Sequence, residues 1–258
     1  MNIGVIGIGE MGGTLARKWS QNLHTVRVAN SRGPEAVKAF ADEIGAKAAD
    51  IYGAVEGVDV ILLSMPFPAV AELPSDLFKR AAPGVLIIDT SNYYPEVRDP
   101  HIQEIDSGMP ESVWVSQQIG LPVFKAFNSI MFYALSELGK PAGAPGRLAI
   151  PVAGDDPIGK QIVMGLVDEI GFDPVDGGAL HDSWRQQPST PAYCCDYDAQ
   201  KTCEGLKAAV KHKAEKIRDT AWREGYGKLF ANNPSYSDVH AKIIAMNRSL
   251  NPLPEKGN

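Results

Sequence analysis

The sequence predicts an α/β fold in which a doubly wound, mostly parallel sheet is followed by a C-terminal helical extension. Three observations predict it. Apolar runs of strand length alternate with segments of helical period, a glycine-rich turn follows the first of these runs, and a long amphipathic pattern occupies the last third of the chain. Continuous apolar runs, such as residues 58–64 and 84–89, are typical of strands buried on both faces of a parallel sheet.

The individual elements follow from apolar spacing and from turn residues. Met11, Leu15 and Trp19 recur at helical spacing after the first apolar run, and Pro34 suits the first turn of a second helix. The sheet is expected to continue through two further strands after the sixth. We therefore predict strands at 3–6, 25–29, 46–49, 58–64, 84–89, 148–152 and 174–176 and one ending at Lys125, and helices from Met11 and at 34–44, 157–170 and 199–223.

A G-x-G-x-x-G spacing, formed by Gly7, Gly9 and Gly12, ends the first strand and begins the first helix. Gly7 lets the chain turn tightly, Gly9 leaves room for a pyrophosphate against bare backbone, and Gly12 lets the helix pack closely on the strand. The first N–H groups of the helix lack internal partners and attract an anion. A glycine-rich surface loop is the alternative, but the strand-turn-helix context favours a Rossmann-type dinucleotide site.

The end of the second strand indicates which dinucleotide is bound. NAD sites usually have an Asp or Glu here, which binds the ribose 2′-hydroxyl, whereas this chain has Asn30, Ser31 and Arg32. A guanidinium can hold a 2′-phosphate in a fork, and the serine hydroxyl is a further donor. The sequence therefore predicts NADP, with a solvated turn arginine as the alternative.

Three later strand ends have prolines and uncharged polar groups. Ser64, Met65 and Pro66 follow the fourth strand, Asn92 follows the fifth, and Asn128 follows the sixth. The carboxyl ends of parallel strands lie at one edge of the sheet, so we expect these residues near the reactive end of the cofactor. Each of them taken singly could also be an ordinary turn residue.

Composition narrows the possible partners and compartment. A net charge of −6 argues against nucleic acid or an anionic membrane, and no apolar run approaches the length of a membrane span. Cys194, Cys195 and Cys203 suit free thiols in a reducing compartment, and no histidine lies at ligand spacing beside them. We therefore expect a cytoplasmic protein without a metal site, in which the cysteines are packing residues or incidental thiols.

Five segments of the chain together form a recognisable pattern. In order, they are Gly-Ile-Gly-Glu-Met-Gly from Gly7, Asn-Ser-Arg from Asn30, Ser-Met-Pro-Phe from Ser64, Asp-Thr-Ser-Asn from Asp89 and Lys-Ala-Phe-Asn-Ser-Ile from Lys125. They resemble the NADP oxidoreductases that exchange hydride with a deazaflavin coenzyme of the F420 type, and the related reductase domains of membrane metalloreductases. The likeness covers residues 1–178.

The resemblance implies a role for particular residues of this chain. Ser31 and Arg32 would bind the 2′-phosphate, and Met65, Pro66 and Asn128 would lie at the nicotinamide end. The pyrophosphate would be held by Gly7, Ile8, Gly9, Glu10, Met11 and Gly12. Residues 1–178 would accordingly form an NADP-binding domain, and residues 179–258 a helical segment for packing, substrate cover and dimer contacts.

Two functions of different class are compatible with these residues. The first is an oxidoreductase that moves hydride between NADPH and a planar redox cofactor, a deazaflavin or flavin, or a small carbonyl or imine substrate. Transfer between two planar cofactors requires alignment and little proton chemistry, whereas carbonyl reduction requires a proton donor, for which His181 and Tyr193 are the candidates. The alternative is a non-catalytic NADP sensor that binds a partner through its C-terminal helix. The long amphipathic tail favours a homodimer.

Overall fold

The computed structural model describes residues 1–95, 97–224 and 234–253, with the side chains of residues 222–224 left out. Its strands are β1 (Asn2–Ile6), β2 (Thr25–Ala29), β3 (Lys47–Ala48), β4 (Val60–Leu63), β5 (Leu86–Asp89), β6 (Phe124–Lys125), β7 (Ala149–Val152) and β8 (Asp173–Asp176). The main sheet has the order β3-β2-β1-β4-β5-β6, and all neighbouring strands in it are parallel. This order confirms the predicted fold class.

Helices cover both faces of this sheet. The α-helices are α1 (Glu10–Gln21), α2 (Pro34–Ile44), α3 (Ile51–Val55), α4 (Gln103–Asp106), α5 (Glu111–Ile119), α6 (Phe132–Glu137), α7 (Pro157–Glu169), α8 (Ala199–Ala208), α9 (Ala214–Glu224) and α10 (Tyr236–Leu250). On one face of the sheet, α1, α2 and α7 pack into one apolar core. On the other face, α3, α5 and a 3-10 helix (Phe67–Glu72) pack into a second core. None of the described helices is both long and apolar enough to cross a membrane.

The last two predicted strands exist, but they do not extend the main sheet as expected. β7 and β8 form a separate parallel pair. A single antiparallel bridge between Lys125 and Ala153 joins that pair to the end of β6. β6 is only two residues long, and Phe127 just after it adopts a positive φ of 62°. Because the chain leaves the extended conformation there, no longer ladder can form.

The predicted helix at 199–223 is wrong as a single element. The chain leaves α8 at Ala209, which is extended, and turns at His212, which has a φ of 65°, before α9 begins. The amphipathic pattern of this segment is broken with the helix, since the apolar Val210 is 60% exposed while the charged Arg218 is buried. The turn redirects α9 so that Arg218 donates to the backbone oxygen of Tyr93. This long-range contact leaves no periodic signal in the sequence.

The sequence analysis missed α10. Its N-cap, Ser235, accepts a hydrogen bond from the backbone N–H of Asp238, and the buried residues Val239, Ile243 and Ile244 form its apolar face. The spacing Ser-x-x-Asp before an apolar pattern is a recognisable helix start, so a signal for α10 was present in the sequence.

Candidate active site

The glycine turn between β1 and α1 is built for close approach of backbone groups. Gly7 has a φ of 98°, and a Cβ at this position would lie 2.0 Å from the backbone oxygen of Ser64 on the neighbouring strand end. A Cβ at Gly12 would lie 2.0 Å from the backbone oxygen of Gly7. A Cβ at Gly9, in contrast, would meet no atom within 4 Å. Gly7 and Gly12 therefore allow the strand, turn and helix to pack, and Gly9 faces open space.

The N-terminus of α1 begins at this open space. Gly9 is the N-cap, and no side chain caps the helix. The N–H of Gly13 bonds to the oxygen of Gly9 at 2.8 Å, which leaves the earlier N–H groups of the first turn without an internal partner. These groups and the helix dipole favour an anion above Gly9.

A cavity of about 670 Å³ extends from the glycine turn to the end of β2. Ser31 and Arg32 are exposed at its edge, and the side-chain oxygen of Asn30 accepts a bond of 2.9 Å from the N–H of Arg32, which shapes the turn. Among the described residues, no carboxylate pairs with the Arg32 guanidinium. Glu72 also lines this cavity, so its lining includes both signs of charge.

A second cavity, of about 480 Å³, continues from the first along the carboxyl ends of the strands. The two cavities share Gly9, Ser64, Met65 and Pro66, and we call them together the cleft. The cleft brings together every predicted cofactor residue except Gly12, which packs beneath the turn. The residues Gly7, Ile8, Asn30, Ser31 and Arg32 line the first cavity, and Glu10, Met11, Asn92 and Asn128 line the second.

The amides of Asn92 and Asn128 are engaged mainly within the protein. Asn128 is 3% exposed, and its Nδ2 donates to Asn92 Oδ1 at 3.0 Å and to the backbone oxygen of Gln186 at 2.8 Å. Asn92 Nδ2 donates to the backbone oxygen of Asn128 at 2.9 Å. Gln186 Nε2 in turn donates to Asn128 Oδ1 at 3.0 Å. This network joins the ends of β5 and β6 and gives the cleft a rigid wall.

Lys125 is fully buried beneath that wall. Its Nζ donates to the backbone oxygen of Ser91 at 2.5 Å and lies 3.4 Å from Asp89 Oδ2 and 3.3 Å from Glu111 Oε2. Burial raises the pKa of Glu111, although the charge of Lys125 opposes this. The ammonium is thus fully used in holding the ends of β5, β6 and α5 together.

Two tyrosine hydroxyls meet inside the second cavity. The hydroxyls of Tyr94 and Tyr193 are 2.5 Å apart, although 99 positions separate them in sequence. The guanidinium of Arg98 lies 5.4 Å from the ring centre of Tyr94. Of the two donor candidates from the sequence, the structure brings Tyr193 into the cleft and leaves His181 exposed and outside its lining. Tyr94 is not among the residues that the sequence analysis singled out.

Arg98 is held in place beside this pair. Its Nε donates to Asp99 Oδ1 at 2.9 Å, and its second nitrogen donates to Asp99 Oδ2 at 2.9 Å and to the backbone oxygen of Asn92. Burial lowers the pKa of Arg98, but the hydrogen bonds and charge of Asp99 outweigh it and raise the pKa above its usual value. The side chain is therefore a permanent cation in a set orientation.

Helix α10 covers the second cavity. Tyr236, Val239 and Ile243 line it, and the Tyr236 hydroxyl donates to Glu10 Oε1 at 2.8 Å across the glycine turn. At the other end, Asn247 Nδ2 donates to the backbone oxygen of Cys194 at 3.0 Å. The sequence analysis missed this cover together with the helix.

Helix α10 is also anchored to the segment that carries Tyr193. Arg248 Nε donates to the backbone oxygen of Cys195 at 2.8 Å. His240 Nε2 lies 2.7 Å from Asp196 Oδ2, and burial raises the pKa of Asp196 against the opposing effect of His240. The contacts of α10 therefore hold Tyr193 in its position in the cleft.

The two adjacent cysteines are packing residues in the structure. Cys194 and Cys195 are buried, and all three cysteines are free thiols. Burial raises the pKa of Cys194 well above the usual value and that of Cys195 to about 12, so neither is a thiolate nucleophile at neutral pH. Within the described residues, no cluster of three or more His, Cys, Asp or Glu side chains could hold a metal ion.

Comparisons with known proteins agree with this geometry. A family model described as NADP oxidoreductase coenzyme F420-dependent matches residues 2–93. The Escherichia coli (strain K12) protein YjhV is 43% identical over 111 residues, which cover 43% of this chain and 77% of that protein.

Two solved structures share the fold. The hypothetical protein SMa0349 from Sinorhizobium meliloti has a TM-score of 0.61 at 26% identity, over 72% of this chain and 89% of that one. A protein from Arthrobacter sp. FB24, described as an F420-dependent NADP reductase, has a TM-score of 0.56 at 18% identity, over 70% of this chain and 86% of that one. At that identity the second match supports the fold alone.

Proposed function

This chain belongs to the coenzyme F420-dependent NADP oxidoreductase family, and from that premise we propose that it transfers hydride between NADPH and a substrate bound in the second cavity. It is an oxidoreductase by membership of the family. The proposed substrate is a planar redox cofactor, a deazaflavin or flavin, or a small carbonyl or imine.

The observation that carries the proposal is the continuous cleft across the carboxyl ends of β1, β2, β4 and β5. An NADP molecule laid along it would have its 2′-phosphate at Ser31 and Arg32, its pyrophosphate above Gly9 and its nicotinamide at Met65 and Pro66. We propose these positions because the guanidinium, the uncapped N–H groups and the apolar wall occur in that order along the cleft.

The cavity beyond the nicotinamide position favours an enzyme over a non-catalytic sensor. Its volume of about 480 Å³ is within the range of small-ligand sites, which is roughly 300–1,000 Å³. A sensor without turnover would need only the dinucleotide site. The sensor hypothesis also relied on one long C-terminal helix, which the structure divides into α8 and α9.

The cofactor assignment is tested with Arg32→Ala. Charge-assisted hydrogen bonds contribute about 1.5–3 kcal/mol each, so the variant should lose roughly ten- to hundredfold of the preference for NADPH over NADH. Both dissociation constants are measured by the fluorescence of the reduced nicotinamide. Arg80→Ala removes an exposed arginine elsewhere and should leave the ratio unchanged. An unaltered ratio in Arg32→Ala would contradict the assignment to NADP.

The reaction is tested by following NADPH oxidation with a deazaflavin, with flavins and with carbonyl and imine compounds. Turnover with at least one of these acceptors is expected. A purified protein that binds NADPH and oxidises it with none of them would contradict the proposed function and favour the sensor.

The other predictions about the whole protein remain proposals. A division at residue 178 is compatible with the end of β8, but α8 packs on β7 and β8, and α10 packs on α6. Part of the C-terminal apolar surface is therefore covered by the chain itself. We propose that the rest of this surface forms the contact of a homodimer. Sedimentation of the full chain measures its oligomeric state. The cytoplasmic location stays a prediction from the free cysteines.

A further inference from the structure

We propose that a small cavity outside the cleft binds a zwitterion, specifically an α-amino acid with an apolar side chain. The cavity has a volume of about 270 Å³ and is more enclosed than either part of the cleft. We call it the rear cavity, and its lining residues lie within the segments 93–95, 101–110, 184–187 and 211–219. The inference goes beyond the proposed hydride transfer and does not depend on it.

Helix α9 presents charged side chains to the rear cavity. Arg218 and Asp219 follow Glu215 by three and four positions, so the three side chains lie on one side of the helix, and all of them line the cavity. Of the α9 side chains that the structure describes, Arg218 alone is buried. An amphipathic helix normally turns apolar residues inward, so a buried charge beside a cavity indicates that this side of α9 serves a polar ligand.

The guanidinium of Arg218 keeps a donor for such a ligand. Its Nε donates to Asp219 Oδ1 at 2.7 Å, and its Nη1 donates to the backbone oxygen of Tyr93 at 3.3 Å. The group also lies over the Tyr93 ring, 5.4 Å from the ring centre. Its Nη2 makes no hydrogen bond with any residue that the structure describes, so this nitrogen can donate to the carboxylate of a ligand.

Glu215 supplies the opposite charge. Its Oε2 is buried and has no hydrogen-bond partner within the described parts of the chain. A buried carboxylate oxygen without a donor costs free energy, whereas a ligand ammonium would satisfy it with a charge-assisted hydrogen bond. This position therefore favours a ligand that bears N–H groups.

The remaining wall of the rear cavity is apolar. Ile105 and Pro110 are buried there, and Met109 and Trp184 are partly buried. At about 30 Å³ for each water molecule, the volume of about 270 Å³ would hold about nine waters, and leucine has about the same number of non-hydrogen atoms. A ligand of that size can place an apolar side chain on this wall while its charged groups reach α9.

The balance of charges favours a zwitterion over a simple anion or cation. An anion bound to Arg218 would also face the carboxylates of Glu215 and Asp219, and a cation bound to Glu215 would also face Arg218. Asp106, which accepts a tyrosine hydroxyl at 2.9 Å, and the exposed Lys211 add one further charge of each sign to the lining. An ammonium and a carboxylate on the same carbon, as in an α-amino acid, bring each sign to its opposite.

The rear cavity and the cleft share one wall. Asn92 and Tyr94 line the second cavity of the cleft, whereas Tyr93 and Pro95 line the rear cavity. The two sites therefore lie on opposite sides of one segment and can be occupied at the same time.

The experiment titrates the full chain with L-leucine and L-phenylalanine by isothermal calorimetry, without and with saturating NADPH. Each amino acid is compared with two analogues that lack one charge. The analogues 4-methylpentanoate and 3-phenylpropanoate have no ammonium, and 3-methylbutylamine and 2-phenylethylamine have no carboxylate.

Glu215→Gln removes the charge of the unpartnered carboxylate and keeps its size. Glu104→Gln is the matched control, because Glu104 is an exposed carboxylate on α4 that does not line the rear cavity. The unfolding temperature without ligand is measured for both variants.

We expect at least one amino acid to bind once per chain with a dissociation constant of about 1 mM or lower, whether or not NADPH is present. Both of its analogues should bind at least about tenfold more weakly, because each loses one charge-assisted interaction. Glu215→Gln should weaken the amino acid by at least about tenfold and leave the affinity for the analogue without an ammonium unchanged. Its unfolding temperature should stay near that of the wild type, since Oε2 has no protein partner to lose.

Four outcomes would overturn the inference. Binding of neither amino acid would show that the rear cavity holds only water. Equal affinities for an amino acid and both of its analogues would exclude recognition of the two charges. An unchanged affinity in Glu215→Gln, or an equal loss in Glu104→Gln, would contradict the role of Glu215. Loss of amino-acid binding in saturating NADPH would place the ligand in the cleft.

The test remains decisive if Glu215→Gln does not fold, because the analogues and the NADPH titration use the wild type. Failure of the proposed function is distinct, since a wild type that binds no NADPH would contradict the cofactor assignment and leave the amino-acid titration as it stands.

Discussion

Alanine substitutions along the glycine turn should separate folding from cofactor binding. In Gly12→Ala the new Cβ would lie 2.0 Å from the backbone oxygen of Gly7 and 2.9 Å from the Cβ of Ser64. In Gly13→Ala, one position further along α1, the nearest atoms would lie at 3.4 Å. In Gly9→Ala the new methyl group would meet no protein atom within 4 Å.

The sizes of the expected effects follow from these distances. A carbon and a carbonyl oxygen come into contact at about 3.3 Å, so Gly12→Ala must separate α1 from the turn by about 1.3 Å. Overpacking of this kind costs about 3 kcal/mol or more, which corresponds to a fall of roughly 6–12 °C in unfolding temperature. Gly13→Ala should be neutral or stabilising by up to about 1 kcal/mol, because alanine favours the helix.

Gly9→Ala should leave the unfolding temperature unchanged and weaken NADPH binding by at least about tenfold, because the methyl group would occupy the proposed pyrophosphate position. The assays are thermal unfolding without ligand and titration of NADPH fluorescence for all three variants. The reasoning would be refuted if Gly12→Ala unfolded at the same temperature as Gly13→Ala, or if Gly9→Ala bound NADPH like the wild type.

Two further predictions concern buried groups. Cys203, which is half-buried, should react with a thiol reagent in the native protein. Cys194 and Cys195 should react only after unfolding, because both are buried and the pKa of Cys195 is raised to about 12. Mass spectrometry of labelled peptides checks this prediction, and early labelling of the buried pair would contradict it. Burial raises the pKa of Glu111 in the folded state above its ordinary value of 4.5, so the carboxyl group binds a proton more tightly in the folded protein than in the unfolded one. The free energy of unfolding should therefore fall as the pH rises from 4.5 towards the raised pKa. Urea unfolding across that range should therefore show the wild type losing stability relative to Glu111→Gln, and a difference that does not change with pH would argue against it.

The Rossmann sheet and the glycine turn were predictable because their signals are local. Apolar runs of strand length and glycines at a set spacing act through neighbouring residues of one segment. The lack of a carboxylate at the end of β2 is likewise recognised at a single position, which Asn30 occupies. The bounds of β2 and α2 were therefore predicted correctly from short stretches of chain.

The fold class, the glycine turn and the position of Ser31 and Arg32 at a strand end could be predicted from the amino-acid order alone. The break before α9, the burial of Lys125 and the contact between Tyr94 and Tyr193 became visible only in the folded chain. The first group depends on backbone conformation and periodicity within a segment. The second depends on burial, charge and hydrogen bonding between segments that are distant in sequence, and these exist only after the chain has folded.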